Sequence, residues 1–208
     1  MGMDLNIFTN KISSDLLSEM KSRFKDFAME IEFHPDFKLD EHNDTGFCPI
    51  KLNLEKGHSS HYDKFGESIM TGFELYFDNY DYIEELNEIK NDSSQSPKTS
   101  IFAKLLGLRN KDNIQDHYVA NKNIDEKLSV CNKVLTLNWQ SANKSELRIS
   151  LFFGAILAEL VDGIIYDPQN DRYLTGEMAI EEFPAEIKEY EEYYSFEDFT
   201  LEKFEEWR

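Results

Sequence analysis

Residues 147–161 constrain the fold most, because they form a predicted helix that is apolar nearly all round. The polar side chains in this segment are Arg148, Ser150 and Glu159. A helix with so narrow a polar side must be covered over most of its surface by other parts of the chain. Asn143, followed three residues later by Glu146, predicts its start. Asp162-Gly163 predicts its end, since glycine readily takes the left-handed conformation that terminates helices.

Several other segments alternate apolar and polar residues with a period of two, which is typical of strands with one buried face. The clearest covers residues 29–33, where Met29, Ile31 and Phe33 alternate with glutamates. The remaining predicted strands cover residues 47–54, 73–77, 134–139 and 164–174. An amphipathic helix is predicted near residues 13–28, with Ser13 or Ser14 as its cap.

These elements predict an α+β fold, with a mainly antiparallel sheet packed on a central buried helix and acidic C-terminal helices. We expect residues 1–208 to form a single α+β domain. A division into two lobes, residues 1–90 and 100–208, joined by a polar connection at residues 91–99, stays open. Residues 100–128 give no clear pattern.

The chain is strongly acidic, with 41 Asp+Glu against 22 Lys+Arg in 208 residues and a formal net charge of −19. Nucleic acids and anionic membranes bind through positive charge, so neither is expected as a partner. The acidity is concentrated in residues 177–208, where aromatic side chains are interleaved with it. Because aromatic residues anchor protein interfaces, we predict a protein partner with a basic surface. The candidate partner-binding residues are Glu182, Glu186, Glu189, Glu191, Glu192 and Tyr193. The oligomeric state is not predicted.

The beginning of the chain lacks the basic and apolar regions of a signal peptide. No apolar run approaches the roughly 20 residues that a membrane helix needs. Cys48 and Cys131 lie outside any dense spacing, which argues against a disulfide scaffold or a cysteine zinc site. We therefore expect a cytoplasmic protein with no cofactor and no metal.

Two clusters leave an enzyme of unknown type open as the alternative. His58, His61 and Asp63 are metal-ligating residue types, but the glycines and serines around them favour a solvated loop. Asp162 and Asp167 flank an apolar strand and are a candidate pair of acid–base carboxylates. Each also suits a structural role, one at a helix end and one at the first position of a turn. The structural interpretation is favoured at both clusters, and no catalytic residue is assigned.

Three segments resemble small, mostly uncharacterised bacterial proteins, some of them similar to immunity proteins of polymorphic-toxin systems. They are TGFCPIKL (residues 45–52), TGFELYFD (residues 71–78) and AILAELVDGIIYDPQ (residues 155–169). The resemblance implies a cytosolic α+β inhibitor that binds and blocks a cognate toxin. A basic nuclease toxin would agree with the acidity of the chain, because carboxylates can cover its phosphate-binding surface. The resemblance carries over no catalytic residue.

Overall fold

A computed structural model of the chain describes residues 2–40, 46–57, 59–65, 68–95, 118–140, 143–195 and 197, with residues 60 and 91–95 as backbone only. Seven strands and six helices lie within these ranges. In chain order they are β1 (Gly2–Thr9), α1 (Leu16–Lys25), β2 (Met29–Phe33), β3 (Gly46–Leu54), α2 (Ser60–Asp63), β4 (Ile69–Asn79), α3 (Tyr82–Gln95), α4 (Lys122–Leu128), β5 (Lys133–Gln140), α5 (Lys144–Val161), β6 (Ile164–Asp167), β7 (Arg172–Thr175) and α6 (Gly176–Glu192).

The strands form one antiparallel sheet in the order β2-β3-β4-β5-β1-β6-β7. This sheet and the helices around it confirm the predicted α+β class. Strand β1 lies inside the sheet between β5 and β6, with Leu5 opposite Leu137 and Ile7 opposite Ile165. Strand β4 pairs with β5, so segments on both sides of the connection predicted at residues 91–99 contribute to the same sheet. Helix α3 extends into that connection as far as Gln95, and residues 96–99 lie outside the described part.

Helix α5 packs against the sheet on one side and against α1 and α6 on others. All of its residues except Glu159 and Leu160 are buried. Gly154 allows its close approach to the sheet, because a Cβ atom there would lie 2.4 Å from Cδ2 of Leu5. The opposite face of the sheet carries a smaller apolar cluster, in which Phe8 and Ile164 pack with residues of α4.

The predicted ends of two helices need correction. Asn143 caps α5 as expected, accepting a hydrogen bond from the backbone N–H of Glu146 at 3.4 Å. At the other end Asp162, and not Gly163, takes the left-handed conformation, with φ 53°. Gly163 has a different role, since a Cβ atom there would lie 2.8 Å from the carbonyl oxygen of Phe8. Helix α1 has Asp15 and neither predicted serine as its N-cap residue.

Three elements were not predicted from the sequence. Helix α2 is one, because its segment was expected to form a loop. Strand β1 is another, although Leu5 and Ile7 alternate with Asp4 and Asn6 as in the predicted strands. Helix α4 is the third, within the stretch that gave no clear pattern. Its N-cap residue is Asn121, whose side chain accepts hydrogen bonds from two backbone N–H groups of the first turn.

Candidate functional site

Helix α6 contains most of the predicted partner-binding residues. It starts where the Thr175 hydroxyl accepts a hydrogen bond from the N–H of Met178 at 3.3 Å. Its sequence holds seven glutamates against one lysine. Ala179, Phe183 and Ile187 recur at four-residue intervals and are buried in the core, which directs that side of the helix toward α5.

Glu191 lies on the buried side of α6 and pairs with Arg148 of α5. Its carboxylate accepts hydrogen bonds from Nε at 2.8 Å and from Nη2 at 2.7 Å, and each of the two side chains is 5% exposed. Burial alone lowers the pKa of Arg148, but the hydrogen bonds and charge of Glu191 outweigh it and raise the pKa. The ring of Tyr62 lies 5.1 Å from the guanidinium, and burial raises the Tyr62 pKa well above its ordinary value. Glu191 therefore holds α6 against the core.

Glu182 and Glu186 are half-buried and pair with Arg172 of β7. The guanidinium donates to Glu182 at 2.9 Å and to Glu186 at 2.7 Å, and its Nε donates to Asp167 at 3.0 Å. Three of the five predicted glutamates are thus held by arginines of this same chain.

The remaining carboxylates of α6 point to solvent and form what we call the acidic face: Glu177, Glu181, Glu189 and Glu192. Glu181, Glu189 and Glu192 lie eight and three residues apart, which places them on the same side of the helix. Tyr193, directly after the helix, is 84% exposed. Of the predicted set, Glu189, Glu192 and Tyr193 are therefore available at the surface.

Next to the acidic face, a cleft of about 590 Å³ lies between α2, α5, α6 and the turn after α1. Its apolar walls are Phe27, Phe152, Pro184 and Ile187. The carboxylates and basic side chains that line it are Asp26, Arg148, Lys188, Glu191 and Glu192. No pattern in the sequence predicted this cleft. The available signal was Arg148, since an arginine inside an apolar helix implies a buried partner and a polar site nearby.

Ala28 on the rim of the cleft has φ 55°, a left-handed conformation that is unfavourable for a residue with a Cβ atom. Its carbonyl oxygen accepts a hydrogen bond from the N–H of Glu55 at 3.1 Å. The surrounding structure thus holds this turn in place against its local preference.

The predicted histidine cluster is only partly described, because His58 lies outside the described residues. Nε2 of His61 lies 3.1 Å from the carbonyl oxygen of Tyr194, and it is the donor because a carbonyl only accepts. Both oxygens of Asp63 accept from the N–H of Gly57, at 3.1 and 3.2 Å. In the part of the chain that the structure describes, no three His, Cys, Asp or Glu side chains are grouped as a metal site requires.

Asp162 and Asp167 have the structural roles that were favoured for them. Asp162 ends α5 in its left-handed conformation and forms an ion pair with Lys127. Asp167 opens the predicted turn, as its carbonyl oxygen accepts from the N–H of Asn170 at 3.3 Å. Its buried carboxylate accepts from the N–H of Gln169 at 3.1 Å and from Arg172.

Comparison with known proteins returned no matching family model, no similar curated protein and no similar solved structure. Within the described ranges, no helix combines the length and apolar character needed to cross a bilayer.

Proposed function

We propose that this protein is a cytoplasmic protein-binding module that holds a basic partner through the acidic face of α6. The resemblance noted above suggests an immunity-type inhibitor, which neutralises a cognate toxin by stoichiometric binding. One observation carries the proposal. The carboxylates of the acidic face lie on one helix and the 84% exposed Tyr193 follows directly after it, whereas the other glutamates of this helix, at positions 182, 186 and 191, pair with arginines of this chain.

The packing of α6 supports this role because it fixes the direction of the acidic face. The buried stripe and the two arginine anchors hold the helix before a partner arrives, so little conformational freedom is lost on binding. Lys188 is the one basic residue of α6. Its Nζ lies 3.7 Å from Oε1 of Glu192, and this ion pair contributes little to stability because it is exposed. Carboxylates presented in this way accelerate encounter with a positively charged surface.

The test begins by capturing partners from a lysate of the source cells on the immobilised protein, followed by purification of the retained protein. Binding of the purified pair is then measured for stoichiometry and for association rate at low and high salt. We expect one-to-one binding with an association rate that falls as salt rises. Charge reversal at Glu181, Glu189 and Glu192 to lysine should slow association about tenfold or more.

A matched control reverses three exposed carboxylates on other helices, Glu84 and Glu88 on α3 and Glu126 on α4. This variant changes the net charge by the same amount but leaves the acidic face intact. Equal slowing in both triple variants would attribute the effect to net charge alone and contradict the assignment to α6. Failure to retain any protein stoichiometrically would contradict the proposed function itself.

A further inference from the structure

The cleft beside α6 has the size and lining of a binding pocket. Its volume of about 590 Å³ falls within the range of about 300–1,000 Å³ that is usual for ligand sites. The rings of Phe27 and Phe152 form part of its wall, with centroids 4.9 Å apart. Ile187 and Pro184 extend the apolar surface. A ligand with an aliphatic chain and a planar end group can pack against these apolar side chains.

The charges of the cleft differ between its interior and its opening. In the interior, Arg148 is 5% exposed and both oxygens of Glu191 are bound to it, so these two charges offset each other. Toward the solvent, Asp26 is 56% exposed and forms an ion pair with Arg23. Glu192 is 64% exposed and forms an ion pair with Lys188, which also lines the cleft. Both pairs reach the solvent and such pairs are weak, so an incoming guanidinium can replace Lys188 at Glu192 and compete with Arg23 for Asp26. The net charge of −19 disfavours an anionic ligand.

The cleft also adjoins the surface already assigned to the partner. Glu192 belongs both to the acidic face and to the lining of the cleft. A protein seated on the acidic face would thus have side chains within reach of the opening. The left-handed Ala28 on the rim is held in that conformation by its surroundings, which makes this side of the cleft preformed.

We propose that this cleft receives an arginine side chain of the basic partner, with the stem against Phe152 and Ile187 and the guanidinium between the carboxylates of Asp26 and Glu192. The inference rests on the proposed function and names the residue type that the partner supplies. Arginine fits better than lysine because its planar guanidinium stacks on aromatic rings and binds carboxylates with two parallel hydrogen bonds.

The test uses N-acetyl-L-arginine amide as the probe and N-acetyl-L-citrulline amide as the matched control, since citrulline keeps the shape and removes the charge. Both are titrated into the full-length protein, and backbone amide chemical shifts are followed. We expect saturable shifts centred on residues 26–28 and 187–192 with the arginine probe. Binding of the citrulline probe should be about fivefold weaker.

A variant pair locates the interaction. Asp26→Asn with Glu192→Gln should weaken binding of the arginine probe about fivefold, whereas Glu84→Gln with Glu88→Gln on α3 should leave it unchanged. All four residues are exposed, so thermal melts of both variants should match that of the parent protein. Equal binding of the two probes, or shifts centred elsewhere, would overturn the inference.

The outcome is separable from that of the proposed function. If the acidic-face triple variant slows association with the purified partner while the Asp26 and Glu192 variant binds the arginine probe as the parent does, the protein-binding function stands and the arginine cleft does not. If the arginine probe binds the cleft but no protein partner is retained, the cleft is a site for guanidinium compounds and the protein-binding function fails.

Discussion

Replacing Glu191 by glutamine should destabilise the protein far more than any other single change to the glutamates of α6. Glu191 offsets the charge of Arg148 in a place where both side chains are 5% exposed. Glutamine has nearly the same shape but no charge, so the buried guanidinium is left without a counter-ion. Removing one partner of a buried ion pair typically costs about 3–5 kcal/mol of unfolding free energy. We expect about 3 kcal/mol here, because the glutamine oxygen can still accept one of the two hydrogen bonds.

The measurement is urea unfolding followed by circular dichroism, with thermal melts in parallel. For a chain of this length, about 3 kcal/mol corresponds to a fall of about 6–12 °C in the melting temperature. Pairing Arg148→Met with Glu191→Leu removes both charges and leaves apolar groups of similar length. The double variant should be close to the parent in stability, because an apolar pair avoids the desolvation penalty of two charges. A cycle of Arg148→Met, Glu191→Leu and their double variant gives the coupling energy of the pair.

The control is Glu189→Gln, two residues away on the exposed side of the same helix. Its unfolding free energy should stay within about 0.5 kcal/mol of the parent value. If Glu191→Gln changes stability as little as this control does, the side chain is not a buried counter-ion and the account of how α6 is anchored is wrong.

Three further predictions follow from single residues. Ala28→Gly should raise the unfolding free energy by about 0.5–1 kcal/mol, since glycine has no Cβ to oppose the left-handed conformation; an unchanged value in urea unfolding would argue against strain at this turn. Asp125→Ala should lower the unfolding free energy by about 3 kcal/mol, because the buried carboxylate accepts hydrogen bonds from the N–H groups of residues 119–121 and from the Tyr82 hydroxyl. Asp125→Asn should recover part of this loss. Burial and the charge of Asp162 raise the pKa of Cys131 to about 11, so its thiol is protonated at neutral pH. Iodoacetamide labelling of Cys131 should therefore be slow and accelerate up to about pH 11, and a rate that levels off below about pH 9 would contradict the raised pKa.

Local patterns predicted the elements whose signal lies within a few residues. Strand β2 begins and ends at the predicted residues because its alternation stops at His34-Pro35. Strand β1 carries the same alternation, yet its place in the middle of the sheet depends on pairing with residues 133–140, which no local pattern encodes. Helix α4 was missed although Asn121 at its N-cap and the Asp125 carboxylate that binds the preceding backbone are local signals. A helix of 7 residues is too short to show a clear apolar period.

The site was predicted only as far as the position of its helix. The sequence indicated an acidic, aromatic-rich segment, but not which carboxylates remain at the surface. That division depends on where Arg148 and Arg172 lie, and Arg148 is 43 residues from its partner Glu191. The cleft depends on α1, α2, α5 and α6 together, so its existence follows from tertiary packing and not from any single segment.

The central position of β1 sets an order on the folding of the chain. Its backbone hydrogen bonds are made with β5 and β6, which lie more than 120 residues later. While the ribosome is still producing those later residues, the backbone of β1 has no neighbouring strand to pair with, and Leu5 and Ile7 lack helix α5 to cover them. Closing so long a loop is entropically costly, and contacts of this range slow folding. The final sheet therefore assembles only after most of the chain has left the ribosome, and premature termination before β6 would leave β1 as an open edge able to pair with other molecules.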